Sequence, residues 1–193
     1  ETLAARGYRT MAFYANAYCE MSKKGFRETH RPPDRPHSVE KQHDLSRDRV
    51  QRAIEWLDRN PPSDGSPFFL FVQLMDAHLP LHPPPEFAHF TLADATAQEI
   101  AAIDQNPLEV WAGRNPLTDR QYAILRSMLD GEAAFADSLV GRLAEAMRSR
   151  DLLDDTIFIV TSDHGDMLGE RHTNEGAHDH FTHHLCLYEE LIK

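Results

Sequence analysis

D-T-I-F-I-V-T-S-D-H-G, residues 155–165, is the stretch on which the fold turns. Residues 156–160 are a β-branched and aromatic apolar run, which reads as a strand buried on both faces of a parallel sheet. Polarity then flips. Ser162, Asp163, His164 and Gly165 place a carboxylate and an imidazole at the carboxyl end of that strand, the edge where open α/β sheets bind ligands. Asp163 offers a hard oxygen and His164 a neutral nitrogen, a pair able to ligate a metal. An Asx-type turn closed by Gly165 accounts for the same four residues. The tetrapeptide alone leaves both readings open.

Working back from it, Thr118 reads as the N-cap of a long helix with Asp119 in its first turn. Tyr122, Leu125, Leu129, Ala133, Ala136, Val140, Leu143 and Met147 mark its apolar stripe. Glu132 and Asp137 on this helix read as surface or helix-packing groups. Farther upstream, P-F-F-L-F-V-Q-L (residues 67–74) predicts a second apolar strand, and Asp76 and His78 stand at its carboxyl end before a proline-rich loop. Two strands therefore deliver polar groups to one edge. At the start, residues 2–7 read as a helix end with Gly7 as its left-handed stop. Residues 8–15 read as a strand, followed by Asn16. A helix, a glycine stop and a strand is the repeating step of an α/β fold.

Residues 23–43 carry three prolines and no periodicity, which predicts an extended surface loop. Ser46 then caps a helix through Val50, Ala53, Ile54 and Leu57 to about residue 60. Residues 88–116 are mixed, with weak helical character over 94–103. Past Gly165, residues 166–172 predict a short helix or turn, 173–184 are polar and His-rich, and 186–192 resemble the start of an amphipathic helix.

With 41% apolar and 26% charged residues in a chain of 193, composition fits a globular protein. No run of eighteen apolar residues exists to span a membrane. A formal net charge of -11 argues against a phosphate-backbone binder, since nucleic-acid proteins need a basic stripe. Cys19 and Cys186 form no C-x-x-C pair, so neither a zinc ribbon nor a disulfide scaffold is indicated and the compartment stays open. Twelve histidines are present, six of them from His164 through His184. Leaving aside His78, His164, His183 and His184, the other eight, His30, His37, His43, His82, His89, His172, His178 and His180, read mostly as solvated surface, His82 and His180 being the exceptions to watch.

Three stretches in series resemble the sulfatase family of the alkaline-phosphatase-like superfamily: L-A-A-R-G-Y-R-T-M-A-F-Y-A-N (3–16), P-F-F-L-F-V-Q-L-M-D-A-H-L-P-L-H-P-P-P-E-F (67–87), and L-L-D-D-T-I-F-I-V-T-S-D-H-G-D-M-L-G-E (152–170) with L-Y-E-E (187–190). The resemblance implies an α/β, three-layer sandwich with a mostly parallel central sheet, of which residues 1–193 form a partial catalytic domain. It implies hydrolysis of sulfate monoesters around a divalent metal ion, calcium first and magnesium or manganese as alternatives. The family's nucleophile is a formylglycine made within C/S-x-P-x-R, near an aspartate pair. The C/S-x-P-x-R motif does not occur here, because Cys19 is followed by E-M-S-K and Cys186 by L-Y-E-E. The resemblance places both upstream, so this chain alone is expected to lack sulfatase activity and to bind metal weakly.

By the same resemblance Asp163 and His164 are metal ligands. His78 contacts the sulfate ester and protonates the leaving oxygen, and His184, with His183 as the alternative, binds the sulfate oxygens. The partner implied is a small-molecule sulfate ester. A histidine suits the acid role near neutrality because its ordinary pKa is about 6.5. Two other readings stand beside this one: a phosphonate monoester or phosphodiester hydrolase of the same superfamily, and a truncated chain without catalysis.

Overall fold

The computed structural model describes residues 2–15, 24–31, 39–61, 65–169 and 181–182. They form two compact units, one made from Glu1–His78 with Phe135–Thr156, the other from Leu79–Ala134 with Ile157–Lys193.

In the first unit, Thr2 caps a 3-10 turn, Leu3–Arg6, and Gly7 stops it at φ 89°. Strand β1 (Arg9–Phe13) follows and lies between β2 (Glu28–His30) and β3 (Phe68–Val72), all three parallel. The α/β class with a parallel sheet expected from the sequence is what forms. As the middle strand β1 is buried from Thr10 through Phe13. The polar 23–43 stretch is not all loop, however. The Thr10 hydroxyl accepts from Arg27 N–H at 2.7 Å and donates to Gly25 O at 3.2 Å, steering Glu28–His30 into register beside β1. An edge strand made by backbone pairing needs no apolar run, which is why hydropathy does not reveal it.

Helix α1 (Val39–Arg59) begins seven residues before the expected cap at Ser46, which is wholly buried within the helix. It joins β2 to β3 as a parallel crossover. Trp56 ties it to both strands: its indole N–H donates to Glu28 Oε1 at 3.3 Å, and its ring meets Phe68 edge-on at 6.3 Å. Helix α4 (Asp119–Arg148) contributes to both units, and in this one Phe135, Leu139, Leu143 and Met147 are buried. Its N-cap is Thr118 as expected, with Thr118 Oγ1 accepting from Gln121 N–H at 3.2 Å and Gln121 Oε1 accepting in return from Thr118 N–H at 2.9 Å. His43 is not surface but 3% exposed, its ring edge-on to Phe135 at 5.0 Å.

His30 gives the first unit a pH dependence. Burial, then Arg52, holds its imidazole below the ordinary 6.5. A depressed histidine contributes stability above the unfolded-state pKa and loses it as pH falls through the folded-state one. The urea midpoint should therefore fall from about pH 7.5 to about pH 5, and His30→Gln should flatten part of that fall. An unchanged slope in the variant would refute it.

In the second unit, two short helices, α2 (Ala97–Ala101) and α3 (Pro107–Trp111), precede α4. Thr96 and Glu99 close α2 with a capping box. Leu81, Ile103, Val110, Leu117, Tyr122, Leu125, Met128, Leu168 and Phe181 pack into one apolar cluster. Residues 166–172 were expected as a helix or turn. Instead Met167–Leu168 is strand β4, paired antiparallel with β5 (Phe181–Thr182).

The largest departure falls on the opening stretch. Residues 157–160 make no strand, and Ile157, Phe158, Ile159 and Val160 are 89%, 36%, 76% and 67% exposed. A strand exists only where a neighbour accepts its ladder, and among the described residues none pairs with this run. The β-branched pattern reports a preference that no neighbouring strand completes. The expected helix at 186–192, Asn16, both cysteines, His37, His172, His178, His180, His183 and His184 lie outside the described residues.

Candidate active site

The carboxyl edge of the sheet carries the first group of site residues. Gln73 fastens the ends of β1 and β3: its N–H donates to Phe13 O at 3.0 Å, and its Oε1 accepts from Ala15 N–H at 3.0 Å. The chain then turns at residues 75–78, where His78 N–H donates to Met75 O at 3.3 Å. Within that turn Asp76 is 3% exposed, while His78 is exposed. The turn thus buries a carboxylate and presents an imidazole to solvent.

Immediately after His78 the chain is held by groups that the sequence reading assigned no role. Gln105 grips the Leu81 peptide on both sides, accepting its N–H at 2.6 Å and donating to its O at 3.0 Å. Glu132, 0% exposed, accepts from His82 N–H at 2.9 Å. Beside it, a Cβ on Gly131 would stand 2.8 Å from Pro83 Cβ and 3.0 Å from Phe87 O, so glycine lets this loop lie against α4. The His82 side chain itself is exposed.

Of the two expected roles, surface or helix packing, Glu132 takes the packing one and Asp137 the surface one. The signal was available: Glu132 follows Met128 by four and precedes Phe135 by three, a core position on the helix, and a polar group there needs a partner. Glu132→Leu should leave the His82 N–H without its acceptor and lower stability by about 1–3 kcal/mol. Glu132→Gln, which keeps an acceptor, should cost clearly less in the same urea titration. Equal losses would show that the hydrogen bond does not matter.

The second group is Asp163 and His164. Ser162 Oγ donates to His164 O at 2.5 Å, and His164 N–H donates to Asp163 Oδ1 at 3.1 Å, which folds the three residues into a tight bend. His164 Nδ1 lies 2.8 Å from Gly165 O. A carbonyl only accepts, so Nδ1 is the donor in this contact, and in the neutral form of the ring Nε2 is the nitrogen left with a lone pair. That Nε2 is 3.9 Å from Asp163 Oδ1, and the Asp163 side chain is 84% exposed. With bonds of about 2.0–2.4 Å, donors this far apart would subtend about 110° or more at one cation, wider than neighbouring octahedral positions. The backbone bond on Nδ1 is the kind of outer contact that orients a metal-binding imidazole.

A carboxylate oxygen and an imidazole nitrogen are donor types that a divalent ion takes. No group of three or more acidic, histidine or cysteine side chains able to hold a metal forms among the described residues. His78 belongs to the first unit and Asp163 with His164 to the second.

Comparison with known proteins gives the family. The Sulfatase family model matches residues 1–193. An arylsulfatase of Clostridium perfringens is 29% identical over 133 residues, covering 63% of this chain and 26% of that protein. Human iduronate 2-sulfatase is 28% identical over 141 residues, with the same coverage of 63% and 26%. The chain thus spans about a quarter of the length of these curated relatives. Among solved structures, the lipoteichoic acid synthase LtaP of Listeria monocytogenes matches with a TM-score of 0.40 and 13% identity, over 79% of this chain and 33% of that one. The match of the family model from the first residue to the last means that this chain belongs to the sulfatase family.

Proposed function

We propose that the protein containing this chain hydrolyses sulfate monoesters with the help of a divalent cation held in part by Asp163 and His164. The observation that supports this is the placement of that pair: His164 Nε2 lies 3.9 Å from Asp163 Oδ1, and His164 Nδ1 lies 2.8 Å from the Gly165 carbonyl oxygen. Calcium is the cation proposed, with magnesium or manganese as substitutes. Bound there, it would neutralise charge on the transferring group.

Histidines of this chain supply the proton and the hydrogen bonds. His78, exposed on the 75–78 turn, donates a proton to the leaving oxygen and contacts the ester. His184, or His183 in its place, donates hydrogen bonds to the sulfate oxygens. The nucleophile is proposed to be a formylglycine supplied by sequence outside these 193 residues, so the chain alone should release no sulfate. That both curated relatives are named as sulfatases supports a sulfate ester as substrate over a phosphate one.

Rates on an aryl sulfate and on the matching aryl phosphodiester, measured in parallel with the natural full-length protein, test the proposal. A sulfatase should turn over the sulfate faster. A phosphodiester rate far above the sulfate rate would replace this reading with the phosphodiester hydrolase.

A further inference from the structure

The Asp163–His164 bend lies between two lengths of chain of opposite character. Before it, residues 157–163 are exposed and pair with no strand among the described residues. After it, Gly165 and Asp166 lead into β4, where Met167 and Leu168 are 0% and 2% exposed. The bend is thus joined to the second core through β4.

β4 needs help to hold that place. Its ladder with β5 is two residues long, Met167 opposite Thr182 and Leu168 opposite Phe181, and even a full two-stranded hairpin is marginal in water. So short a ladder also leaves its register weakly specified. A slip by one residue would turn Leu168 and Phe181 out of the core.

Side chains from the preceding helices supply the missing support. Arg126 of α4 donates from Nη1 to Leu168 O at 2.5 Å, and Trp111 of α3 donates from Nε1 to Phe181 O at 2.7 Å. Because Leu168 and Phe181 stand opposite each other, both carbonyls of one rung are gripped. Tyr122, one turn before Arg126 on α4, meets the Phe181 ring edge-on at 6.3 Å. An indole N–H and a guanidinium can only donate, so each grip needs a carbonyl at its own place. A shifted register would move both carbonyls away.

We propose that Trp111 and Arg126 are positioning residues for the cation pair: by gripping the Leu168–Phe181 rung they set the register of β4, and with it the place of the Asp163–His164 bend that leads into the strand. This rests on Asp163 and His164 being the cation ligands of the proposed function, but the placement of the bend can be read without metal and without turnover.

The test is NMR of the His164 imidazole in this chain, first without metal and then with added Mn2+, which broadens signals close to it, with urea unfolding alongside. Trp111→Phe keeps a ring and loses the donor; Arg126→Met loses the other grip. Each should shift or split the single His164 signal of the parent chain. Together they should raise the Mn2+ concentration for half-broadening roughly tenfold, the low end of what losing a contact behind a metal ligand costs. Arg126→Lys restores a charged donor and should return the signal toward that of the parent. Arg126 is exposed, so its replacement leaves the core intact and the result does not depend on Trp111→Phe folding. Thr96→Ala is the control, because it removes the capping box of α2 and loosens the same unit away from the gripped rung. His164 should not respond to it. An unchanged His164 signal in both single variants, or the same change in Thr96→Ala as in Arg126→Met, would overturn the proposal and leave the two contacts as general stabilisers. If Mn2+ fails to broaden His164 in the parent chain, the cation reading falls, and the metal-free signals still decide whether the rung places the bend.

Discussion

Trp56→Ala should destabilise the chain by about 3–5 kcal/mol, the range for deleting a large aromatic side chain from a packed interior. Trp56 is 1% exposed and joins both outer strands, by a hydrogen bond to Glu28 in β2 and a ring contact with Phe68 in β3. Its loss opens a cavity under the sheet and leaves the Glu28 carboxylate without that donor. β2 is three residues long and polar, so it has little else to hold it. Trp56→Phe keeps most of the ring volume and gives up the hydrogen bond, worth about 0.5–1.5 kcal/mol. Urea unfolding of the two variants should order them that way. A loss below about 1 kcal/mol for Trp56→Ala would mean that α1 and β2 are held by something other than this residue.

Gly169→Ala should lower stability by about 2–5 kcal/mol. Two costs add. Gly169 has φ 85°, where an L side chain loses about 1–2 kcal/mol. An added Cβ would also stand 2.5 Å from Cγ of Tyr122, a ring 4% exposed in the second core, and overpacking of this kind costs about 1–3 kcal/mol. Gly7→Ala is the internal control, since Gly7 has φ 89° and nothing within 4 Å of the added atom. The difference between the two variants isolates the ring contact. Equal losses would show that Tyr122 moves aside freely, and that β4, which follows the Asp163–His164 bend, is not pinned by it.

Parts of this structure were legible in the sequence because one physical rule governed each. β1 and β3 are short apolar runs, α4 has a stripe and a capping threonine, and Gly7 is a left-handed stop. Where two rules competed, reading failed. β2 is polar and pairs through its backbone at a sheet edge, so it looked like loop. α1 began earlier than Ser46 because the stretch before it is polar even on its buried side, at His43. Residues 157–160 show the opposite error: β-branched residues favour a strand, but a strand needs neighbours, and the described residues supply none.

The site was legible in a narrower way. His78, Asp163 and His164 could be singled out because polar groups follow apolar runs, and family likeness gave them roles. What holds the chain just after His78 was hidden, because Gln105 and Glu132 act across 24 and 50 residues of sequence, which a local pattern does not record.

The most direct test of the account is sulfate release from an aryl sulfate by the natural full-length protein, stripped of metal and then resupplied with calcium, magnesium or manganese, alongside its Asp163→Asn variant. The account predicts release that disappears on stripping, returns with a divalent cation, and does not return in Asp163→Asn. Full activity in the stripped protein, or a cation-restored rate in Asp163→Asn equal to that of the parent, would contradict it.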